Sequence, residues 1–437
     1  MIHSSKISRR RFLKRVAGTA AVAAFPYIVP SSALGKAGTV APSNRITVGC
    51  IGTGGMGRGD MGLFLQLPDA QIVAVCDAKQ TARQLALALV GQGGQKGCAE
   101  YRDFRELVAR DDIDVVSIAS TDHWHVLHAL AAVRSGKDVY VEKPLGLSIQ
   151  EITTLREEVH RHNRMFQFGT QQRSMPNFRF ACELVRNGRI GQLKTIKVSA
   201  PDGFKERTND DGYDIEPVPE GFDYEMWLGP APWAPYTPKR VINPHWFHIS
   251  DYSLGYVAGW GIHHVDIAQW GSGMELTGPV EVEGSGLFPA EDGLCDNALN
   301  WDVSLKYANG VRMHFTSDTL MNKHGIRFEG TEGWVFVNRS EFDTHPKSLM
   351  QETIKPNEIH LPVSTHHQRN LIDSVKSRTP SICNIDVAVR SDTVCTISDI
   401  AMRLGRPLKW DPATERFVGD DEANQRLVRA MRSPWHL

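Results

Sequence analysis

Residues able to donate or accept protons gather in three segments of this chain. The first is Ser117–His125, which follows an apolar run, and the second, Glu142–Pro144, ends the next such run. The third, Gly255–Trp270, opens a helix that carries two histidines and an aspartate. Imidazole, ammonium and carboxylate groups are the usual acids and bases of catalysis. Because doubly wound sheets bind ligands at the carboxyl ends of their strands, we expect the first two segments at one ligand-binding edge.

A zinc site would use some of the same side chains. His245 and His248, taken with His263 and Asp266, are ligand types that zinc accepts. The H-x-x-H spacing beside Pro244 lacks the helical H-E-x-x-H context that makes such a pair specific. We therefore predict no metal, and in a sugar site the same imidazoles would hydrogen-bond hydroxyl groups.

A glycine-rich turn after the first apolar run indicates a dinucleotide site. Gly52, Gly54 and Gly57 match G-x-G-x-x-G. In that pattern the first glycine permits a tight turn, the second lets the backbone approach a pyrophosphate, and the third lets the helix pack on the strand. The second apolar run ends at Asp77, where a ribose-binding carboxylate is expected. That acid favours NAD because it repels a 2′-phosphate, whereas the nearby Lys79 leaves NADP as an alternative.

Strand and helix signals alternate over residues 45–168 and predict an α/β domain built on a doubly wound parallel sheet, a Rossmann domain. The predicted strands are Ile46–Ile51, Ile72–Cys76, Val115–Ala119 and Val139–Val141, with Met165–Phe168 as the next candidate. Helices are predicted after Gly57, from Thr81, after His125 and over Gln150–His162.

From Gly191 onward, polar and apolar residues alternate at the strand period. This predicts a C-terminal α+β domain over residues 169–410 with a large, mostly antiparallel sheet, followed by a tail over residues 411–437. One face of such a sheet packs on helices and the other stays open, so we expect a homo-oligomer. The predicted strands are Leu193–Ser199, Val280–Gly284, Ala298–Tyr307, Val311–Ser317, Gly325–Glu329 and Trp334–Val337, and the predicted helices are His366–Ser377 and Asp386–Leu404.

A long segment, Pro201–Trp246, is rich in proline, glycine, aspartate and aromatic residues. A connection of this length inside a compact domain is usually functional or disordered, and its aromatic content disfavours disorder. Its flat rings predict either a carbohydrate-stacking wall or a loop pinned to the core, and the pattern leaves both open.

The N-terminal residues have the layout of an export signal. Ser8–Lys14 contains paired arginines followed by Phe-Leu-Lys, and a weakly apolar run and small residues come after it. This layout is typical of the twin-arginine (Tat) type, so we expect residues 1–37 to be a signal peptide read by the Tat export machinery and the mature protein to be periplasmic. Because such substrates cross the membrane folded, a cofactor would travel with the protein.

Composition limits the class of partner. With 49 basic and 50 acidic residues among 437, the charge balance offers no electrostatic footprint for nucleic acid. The seven cysteines are scattered without a C-x-x-C pair, which argues against a disulfide framework. No later run of apolar residues is long enough for stable membrane insertion.

The glycine loop, Ser120–His125, Glu142–Pro144 and the pair His263 and Asp266 together resemble the glucose-fructose oxidoreductase and inositol dehydrogenase family, Gfo/Idh/MocA. Its exported branch is similar in having segments like Gly169–Ser174 and Asp420–Asn424. The resemblance implies a Rossmann domain and an α/β substrate domain with NAD or NADP held between them. It also implies hydride transfer at a sugar or polyol carbon.

By this resemblance, Lys143 reaches the nicotinamide and the substrate hydroxyl, the bond before Pro144 is often cis, and His263 exchanges the hydroxyl proton. Lys143 and His263 are therefore the expected catalytic residues. The expected cofactor contacts are Gly52, Thr53, Gly54, Gly55, Met56, Gly57, Asp77, Ser120, Thr121, His123, His125, Glu142, Lys143 and Gln171. The expected substrate contacts are Arg173, His245, Trp246, His264 and Asp266.

One position departs from the family pattern. The dehydrogenases usually place an aspartate four residues before the catalytic histidine, and this chain has Gly259 there. That change removes a hydrogen-bond acceptor that would share the proton, and Asp266, on the same helical face as His263, is a candidate substitute. The leading prediction is an oxidoreductase of a sugar, polyol or sugar derivative that keeps its cofactor bound. The alternatives are an NAD-dependent glycosidase that acts by transient oxidation and elimination, and a sugar-binding protein without turnover.

Overall fold

The computed structural model describes residues 40–202, 214–289, 293–318 and 323–437. The expected signal peptide, residues 1–37, lies outside the described residues. The chain divides into two compact units, one up to Arg45 with a 3₁₀ turn at Pro42–Asn44 and one from Ile46 to Leu437. Within the described ranges, no helix is long and apolar enough to cross a bilayer.

Six strands form the first sheet of the larger unit. They are β1 (Ile46–Ile51), β2 (Ala70–Cys76), β3 (Ala99–Tyr101), β4 (Val115–Ile118), β5 (Asp138–Val141) and β6 (Phe166–Phe168). All are parallel, in the order β3-β2-β1-β4-β5-β6. The helices that accompany them are α1 (Gly55–Leu65), α2 (Gln80–Gln92), α3 (Phe104–Val108), α4 (His125–Arg134) and α5 (Ile149–Arg161). This strand order is that of the dinucleotide-binding folds, so the predicted doubly wound sheet is confirmed.

The strands of this sheet are apolar because two apolar clusters pack against it. Every residue of β4 and β5 is buried, and so are the last four of β1, which is typical of a parallel sheet covered by helices. Ile51 is in register with Ile118, and Ile118 with Val141. The turns that follow these three strands therefore meet at one edge of the sheet.

Nine strands form the second sheet. They are β7 (Leu193–Ala200), β8 (Pro279–Leu287), β9 (Asn300–Tyr307), β10 (Arg312–Ser317), β11 (Gly325–Gly330), β12 (Trp334–Val337), β13 (Phe342–His345), β14 (Leu408–Asp411) and β15 (Arg416–Phe417). Their order is β13-β12-β11-β7-β10-β9-β8-β14-β15. Apart from the parallel pair of β7 and β10, the strand pairs in the described residues are antiparallel. The predicted mostly antiparallel sheet is confirmed.

Helices cover one face of the second sheet. The helices of this part of the chain are α6 (Pro176–Arg186), α7 (Tyr224–Leu228), α8 (Gly255–Gly259), α9 (Gly261–Ser272), α10 (His367–Ser377), α11 (Ile385–Leu404) and α12 (Asp421–Gln425). Short 3₁₀ turns lie at Asp122–Trp124, Gln171–Ser174, Lys239–Val241, His245–His248 and Lys347–Gln351. Every residue of α9 except Ser272 is buried, since this helix lies between the sheet and helices α6 and α11. On the other face the sheet presents polar residues: along β9, Asp302, Ser304 and Lys306 alternate with buried neighbours.

Where it is described, the aromatic segment Pro201–Trp246 packs on the core. Four of its rings are buried, together with Tyr252 from beyond its end, and Trp233 is 64% exposed. The rings therefore pin the segment to the protein, which is one of the two alternatives that the sequence leaves open. The buried rings of the segment are Tyr224, Trp227, Tyr236 and Trp246.

Candidate active site

A cavity of about 510 Å³ opens at the carboxyl edge of the first sheet. One side is formed by the turns that follow β1, β2, β4 and β5. The other side comes from α7 and from residues 241–247 of the second domain. The cavity therefore joins the expected nucleotide loop to the pinned aromatic segment.

The glycine loop has space for a ligand at one glycine and none at the other two. Gly52 has a φ of 80°, and a Cβ there would overlap the backbone of Ser120. A Cβ at Gly57 would overlap the carbonyl oxygen of Gly52, so α1 could not pack this closely on β1. A Cβ at Gly54 would have no atom within 4 Å, and Gly54 lines the cavity. The loop thus has the open second glycine that a pyrophosphate requires, and a dinucleotide fits it.

Asp77 stands in the cavity wall directly after β2. Its carboxylate accepts hydrogen bonds from the backbone N–H groups of Thr53 and Lys79, at 2.8 and 2.9 Å. Burial raises its pKa, and the two backbone donors oppose that rise. The carboxylate is therefore fixed beside the glycine loop, where a ribose would be bound. Gly55 and Met56 also line the cavity, whereas Thr53 is buried behind it.

The amine of Lys79 contacts residues of the second domain. Its Nζ donates to the carbonyl oxygen of Val241 at 2.9 Å and lies 4.9 Å from the ring centre of Phe222. Burial lowers its pKa. Because the amine already binds the protein, Lys79 is poorly placed to receive a 2′-phosphate, which favours NAD.

The turn after β4 carries four of the expected cofactor contacts. Ser120 and Thr121 line the cavity. His123 is turned toward the second domain, with Nε2 3.1 Å from the carbonyl oxygen of Trp227. His125 lies between two carbonyl oxygens, that of Pro144 at 2.6 Å from Nδ1 and that of Ser120 at 3.0 Å from Nε2. Burial lowers the pKa of His125 to about 4, so the imidazole is neutral and its single N–H donates to one of these two carbonyl oxygens at a time.

Glu142 supports the backbone that carries Lys143. Its Oε1 accepts from the Tyr140 hydroxyl at 2.9 Å and from the Gln171 side-chain amide at 2.7 Å. The Lys143 backbone N–H donates to its Oε2 at 3.2 Å. Burial raises the pKa of Glu142, and burial together with the charge of Glu142 raises that of buried Asp60. The Gln171 amide and the Glu142 carboxylate are thus hydrogen-bonded to each other.

Of the two expected catalytic residues, Lys143 lines this cavity, whereas His263 lies outside the lining but near enough for the charge of Lys143 to affect it. Lys143 is followed by a cis bond to Pro144, as the resemblance implies. His263 is buried in α9, and its Nδ1 has no hydrogen-bond partner among the described residues. Burial, and then the positive charge of Lys143, hold the pKa of His263 well below its usual value. His263 is therefore a neutral imidazole close to a cation, able to accept a proton.

The ring of Phe247 occupies the space beside Gly259. A Cβ at Gly259 would lie 2.6 Å from Cε1 and 3.0 Å from Cδ1 of Phe247. The same ring lies 5.7 Å from Nζ of Lys143, measured to its centre. An aromatic face therefore stands near the lysine where the family's dehydrogenases usually have a carboxylate.

Two family models cover most of the larger unit. The model described as oxidoreductase family, NAD-binding Rossmann fold, matches residues 46–170. The model described as oxidoreductase family, C-terminal alpha/beta domain, matches residues 177–437. The chain belongs to the Gfo/Idh/MocA oxidoreductase family. The predicted family and its NAD-binding Rossmann domain are confirmed.

Individual relatives in the Gfo/Idh/MocA comparison are distant. A glycosyl hydrolase family 109 protein of Saccharopolyspora erythraea is 38% identical over 124 residues, 27% of this chain and 27% of that protein. Levoglucosan dehydrogenase in complex with NADH and levoglucosan has a TM-score of 0.61 at 16% identity, over 84% of this chain and 99% of that one. Aldose-aldose oxidoreductase from Caulobacter crescentus has a TM-score of 0.61 at 17% identity, over the same shares. The chain spans only 27% and 44% of the first two curated relatives, and the solved structures show a shared fold.

Two of the expected substrate contacts of this Gfo/Idh/MocA protein are paired with each other. Nε and Nη2 of Arg173 donate to the two carboxylate oxygens of Asp266 at 2.7 and 2.8 Å, and both side chains are buried. The Ser391 hydroxyl adds a bond of 2.9 Å to the same carboxylate. Asp266 is therefore occupied and lies outside the cavity lining, so its carboxylate does not stand in for the one missing at Gly259.

The remaining expected substrate contacts divide between the cavity and the core. Trp246 lines the cavity and stacks on Phe247 with ring centres 4.1 Å apart. His245 belongs to the same 3₁₀ turn but not to the cavity lining. The Nδ1 of buried His264 lies 2.8 Å from the carbonyl oxygen of Ser199, and burial lowers its pKa to about 3. In the described ranges, no three His, Cys, Asp or Glu side chains are grouped to hold a metal.

Asp122 and Phe247 are among the cavity residues that the sequence does not assign to the site. Asp122 lies inside the motif Ser120–His125, between the cavity residue Thr121 and His123, so its place in this motif could have indicated that it lines the site. Phe247 follows Trp246 at the end of the aromatic segment, and no local pattern shows that it packs on Gly259.

Proposed function

We propose that this protein is an NAD-dependent oxidoreductase that transfers a hydride at a carbon of a sugar, a polyol or a sugar derivative. The observation that carries the proposal is that Lys143 lines the same cavity as the glycine loop. The charge of Lys143 also contributes to the lowered pKa of His263, which keeps that imidazole neutral. The names of the structural neighbours, levoglucosan dehydrogenase and aldose-aldose oxidoreductase, support the substrate class.

The residues that would hold the cofactor are the glycine loop and Asp77. When bound, NAD supplies the acceptor for the hydride. The Asp77 carboxylate would accept hydrogen bonds from ribose hydroxyls, and the open face of Gly54 would admit the pyrophosphate. The bonded amine of Lys79 supports NAD over NADP.

The chain's own groups handle the proton and the charge. Neutral His263 accepts the proton of the hydroxyl that is oxidised, and returns it when the reaction runs in reverse. The Lys143 ammonium stabilises the negative charge that develops on the same oxygen. Trp246 and Phe247 line the cavity with apolar surface and limit the access of water.

Replacement of Lys143 tests this assignment. K143M keeps an unbranched chain but removes the charge, so we expect turnover to fall by about 10²- to 10⁴-fold. K194M, which removes an exposed lysine on β7, is the matched control and should keep its activity. Reduction of bound cofactor is followed by absorbance with levoglucosan, myo-inositol and glucose. An unchanged rate in K143M would contradict the site, and silence of the wild type with every sugar and glycoside would favour a binding protein.

A redox glycosidase is the second candidate. The space beside Gly259 is filled by Phe247, and the curated relatives are named glycosyl hydrolase family 109 proteins. In this reaction a ketone on the sugar acidifies a neighbouring C–H, elimination breaks the glycosidic bond, water adds and the hydride returns. Aryl glycosides separate the candidates: release of the aglycone without net reduction of cofactor supports the glycosidase, and net reduction by a free sugar supports the oxidoreductase.

We also propose that the protein is exported by the Tat route with its cofactor bound. The support is the motif Ser8–Lys14, which contains the pair Arg9 and Arg10. R9K/R10K should leave the full-length protein in the cytoplasm, whereas R15K should not, as fractionation and immunoblotting would show. Protein recovered from the periplasm without any nucleotide would argue against loading before export.

Self-association through the open face of the second sheet is a further part of the proposal. The face carries polar and aromatic side chains, among them Arg327, whose guanidinium lies 4.2 Å from the ring centre of Trp334. Such an amphipathic surface suits an interface between identical copies. Light scattering should give a mass above that of one chain, and W334E should lower it.

A further inference from the structure

The turn that carries Asp77 is bonded to the second domain through its backbone. Gln80 is the first residue of helix α2, so its N–H has no partner within the helix, and it donates instead to the carbonyl oxygen of Gly221 at 2.8 Å. The N–H of Asp223 donates to the carbonyl oxygen of Ala78 at 3.0 Å. The two bonds form a short antiparallel bridge between the turn after β2 and the aromatic segment.

The close approach at this bridge depends on Gly221. Its φ is 77°, and a Cβ there would lie 2.6 Å from Oε1 and 3.2 Å from Cβ of Gln80. An alanine at position 221 would be strained by this φ and would displace the Gln80 side chain. Two residues later, Asp223 caps helix α7 by accepting the N–H of Met226 at 3.0 Å, and Met226 lines the cavity. The bridge therefore leads directly into a helix of the cavity wall.

The side chain of Lys79 adds a third bond beside the bridge. Its Nζ donates to the carbonyl oxygen of Val241 at 2.9 Å and lies 4.9 Å from the ring centre of Phe222. Arg102 and Asp223 form an ion pair of 3.3 Å, but the arginine side chain is 69% exposed, so this pair contributes little. Lys79 is therefore the main side-chain contact between the two segments.

These bonds lie at the cavity itself. Lys79 and Val241 line opposite walls of it, and the bond between them joins those walls. Asp77, where the ribose is expected, is two residues before Lys79 in the same wall. A nucleotide bound at Asp77 can pass this side of the cavity only after the walls part.

We propose that the contacts of Ala78–Gln80 with Gly221–Asp223 and Val241 form a latch that holds NAD in the cavity, with Lys79 as its positioning residue. The inference rests on the proposed function and adds a step to it, the opening of the latch, which limits both entry and exit of the nucleotide. Opening requires the two backbone hydrogen bonds and the Lys79 bond to break together, and local opening of this kind leaves the rest of the domain folded. The latch thus slows exchange of the nucleotide without needing to tighten its binding.

Rapid mixing of NADH with the nucleotide-free full protein measures the latch. Binding is followed by energy transfer from the tryptophans of the cavity wall, and release by a chase with excess NAD. Lys79→Met removes the Nζ bond but keeps an unbranched side chain, so the latch should open more often. Both the association and the dissociation rate constant should then rise by about tenfold, with Kd changed by less than about threefold. K96M, which removes an exposed lysine in the loop after α2, is the matched control and should leave both rate constants unchanged.

Other roles of Lys79 predict other rate constants. If Lys79 bound the nucleotide directly, K79M would speed dissociation alone, and Kd would rise by the same factor. If Lys79 only stabilised the fold, K79M would lower the thermal midpoint and change neither rate constant. Either result would overturn the latch. K79R keeps a donor for the carbonyl oxygen of Val241 and should restore most of the slow exchange.

Amide hydrogen exchange tests the latch without nucleotide and through a second variant, in case K79M does not fold. In the wild type the N–H groups of Gln80 and Asp223 should be protected, because both are hydrogen-bonded across the bridge. G221A strains the bridge at another residue, so both amides should exchange about tenfold faster and NADH should enter and leave faster as well. Unprotected amides in the wild type would contradict the latch.

The two levels of the proposal fail separately. Failure of the wild type to bind NADH would overturn the proposed function itself. NADH binding with equal rate constants in the wild type, K79M and G221A would overturn only the latch.

Discussion

Gly259 and Phe247 share one small volume near Lys143. Because a Cβ at position 259 would stand 2.6 Å from the Phe247 ring, a larger residue at 259 would force this ring to shift. The ring presents its face to the lysine ammonium, which is a weak attraction compared with an ion pair. The positive charge of Lys143 is therefore left for an oxygen that becomes negative during the reaction.

The exclusion at this position can be measured. Gly259→Asp, which restores the family's carboxylate, should lower the free energy of unfolding by about 1–3 kcal/mol because the side chain overlaps the ring. F247A/G259D should recover part of that loss, with F247A alone as the reference, so that a double-mutant cycle in chemical denaturation gives a favourable coupling. A G259D protein as stable as the wild type would show that the two side chains do not compete.

The pair of Arg173 and Asp266 ties the 3₁₀ turn Gln171–Ser174 to helix α9. Both side chains are buried, and Arg173 also donates to Glu275 at 3.2 Å. Burial alone would lower the pKa of the Arg173 guanidinium, but the charge of Asp266 outweighs burial and holds that pKa above its usual value. Because α9 carries His263, the ion pair sets the position of that imidazole relative to the first sheet.

Arg173→Met is expected to lower the free energy of unfolding by about 3–5 kcal/mol, because it leaves Asp266 buried without its cation. R173M/D266L removes both charges and should be more stable than R173M. The measurement is denaturant unfolding, with KM for the sugar substrate as the second readout. If Arg173 instead bound substrate, R173M would raise KM and leave stability nearly unchanged.

The elements that could be predicted from sequence are those long enough to show a repeating pattern of apolar residues. The central strands of both sheets and helices α5, α10 and α11 agree with the predicted segments to within a few residues. The short strands β3 and β15 were missed, since two or three residues show no period. Strand β13 was missed as well, because its residues are mostly half-buried and do not alternate.

The cofactor loop was more predictable from sequence than the contacts that complete the site. The roles of Gly52, Gly54 and Gly57 follow from a local turn whose geometry depends on adjacent residues. Asp122 and Ser253 stand 131 positions apart, and no pattern near either one shows that folding brings them into contact. Contacts of this kind depend on how the two domains pack. The spacing of apolar residues along the chain predicts helices and strands but not that packing.

Across the larger unit, the C-terminal strap, residues 432–437, joins the two domains behind the cavity. The Arg432 backbone N–H donates to the carbonyl oxygen of Pro230 at 2.8 Å, and its guanidinium donates to Glu225 at 2.6 Å. The Trp435 ring lies 4.7 Å from that of Trp124, edge to face. Because Trp124 lines the cavity, the strap supports a wall of the expected cofactor site.

A cofactor that is loaded once and then kept needs slow release, and the strap should contribute to it. Trp435→Ala removes the ring that packs on Trp124, so we expect bound NAD to dissociate about tenfold faster, a difference of about 1.4 kcal/mol. H436A, which changes an exposed neighbour in the same strap, should release NAD at the wild-type rate. The nucleotide that remains on the protein is measured at intervals after gel filtration. Equal release from W435A and the wild type would mean that retention depends on the glycine loop and the residues around Lys79 alone.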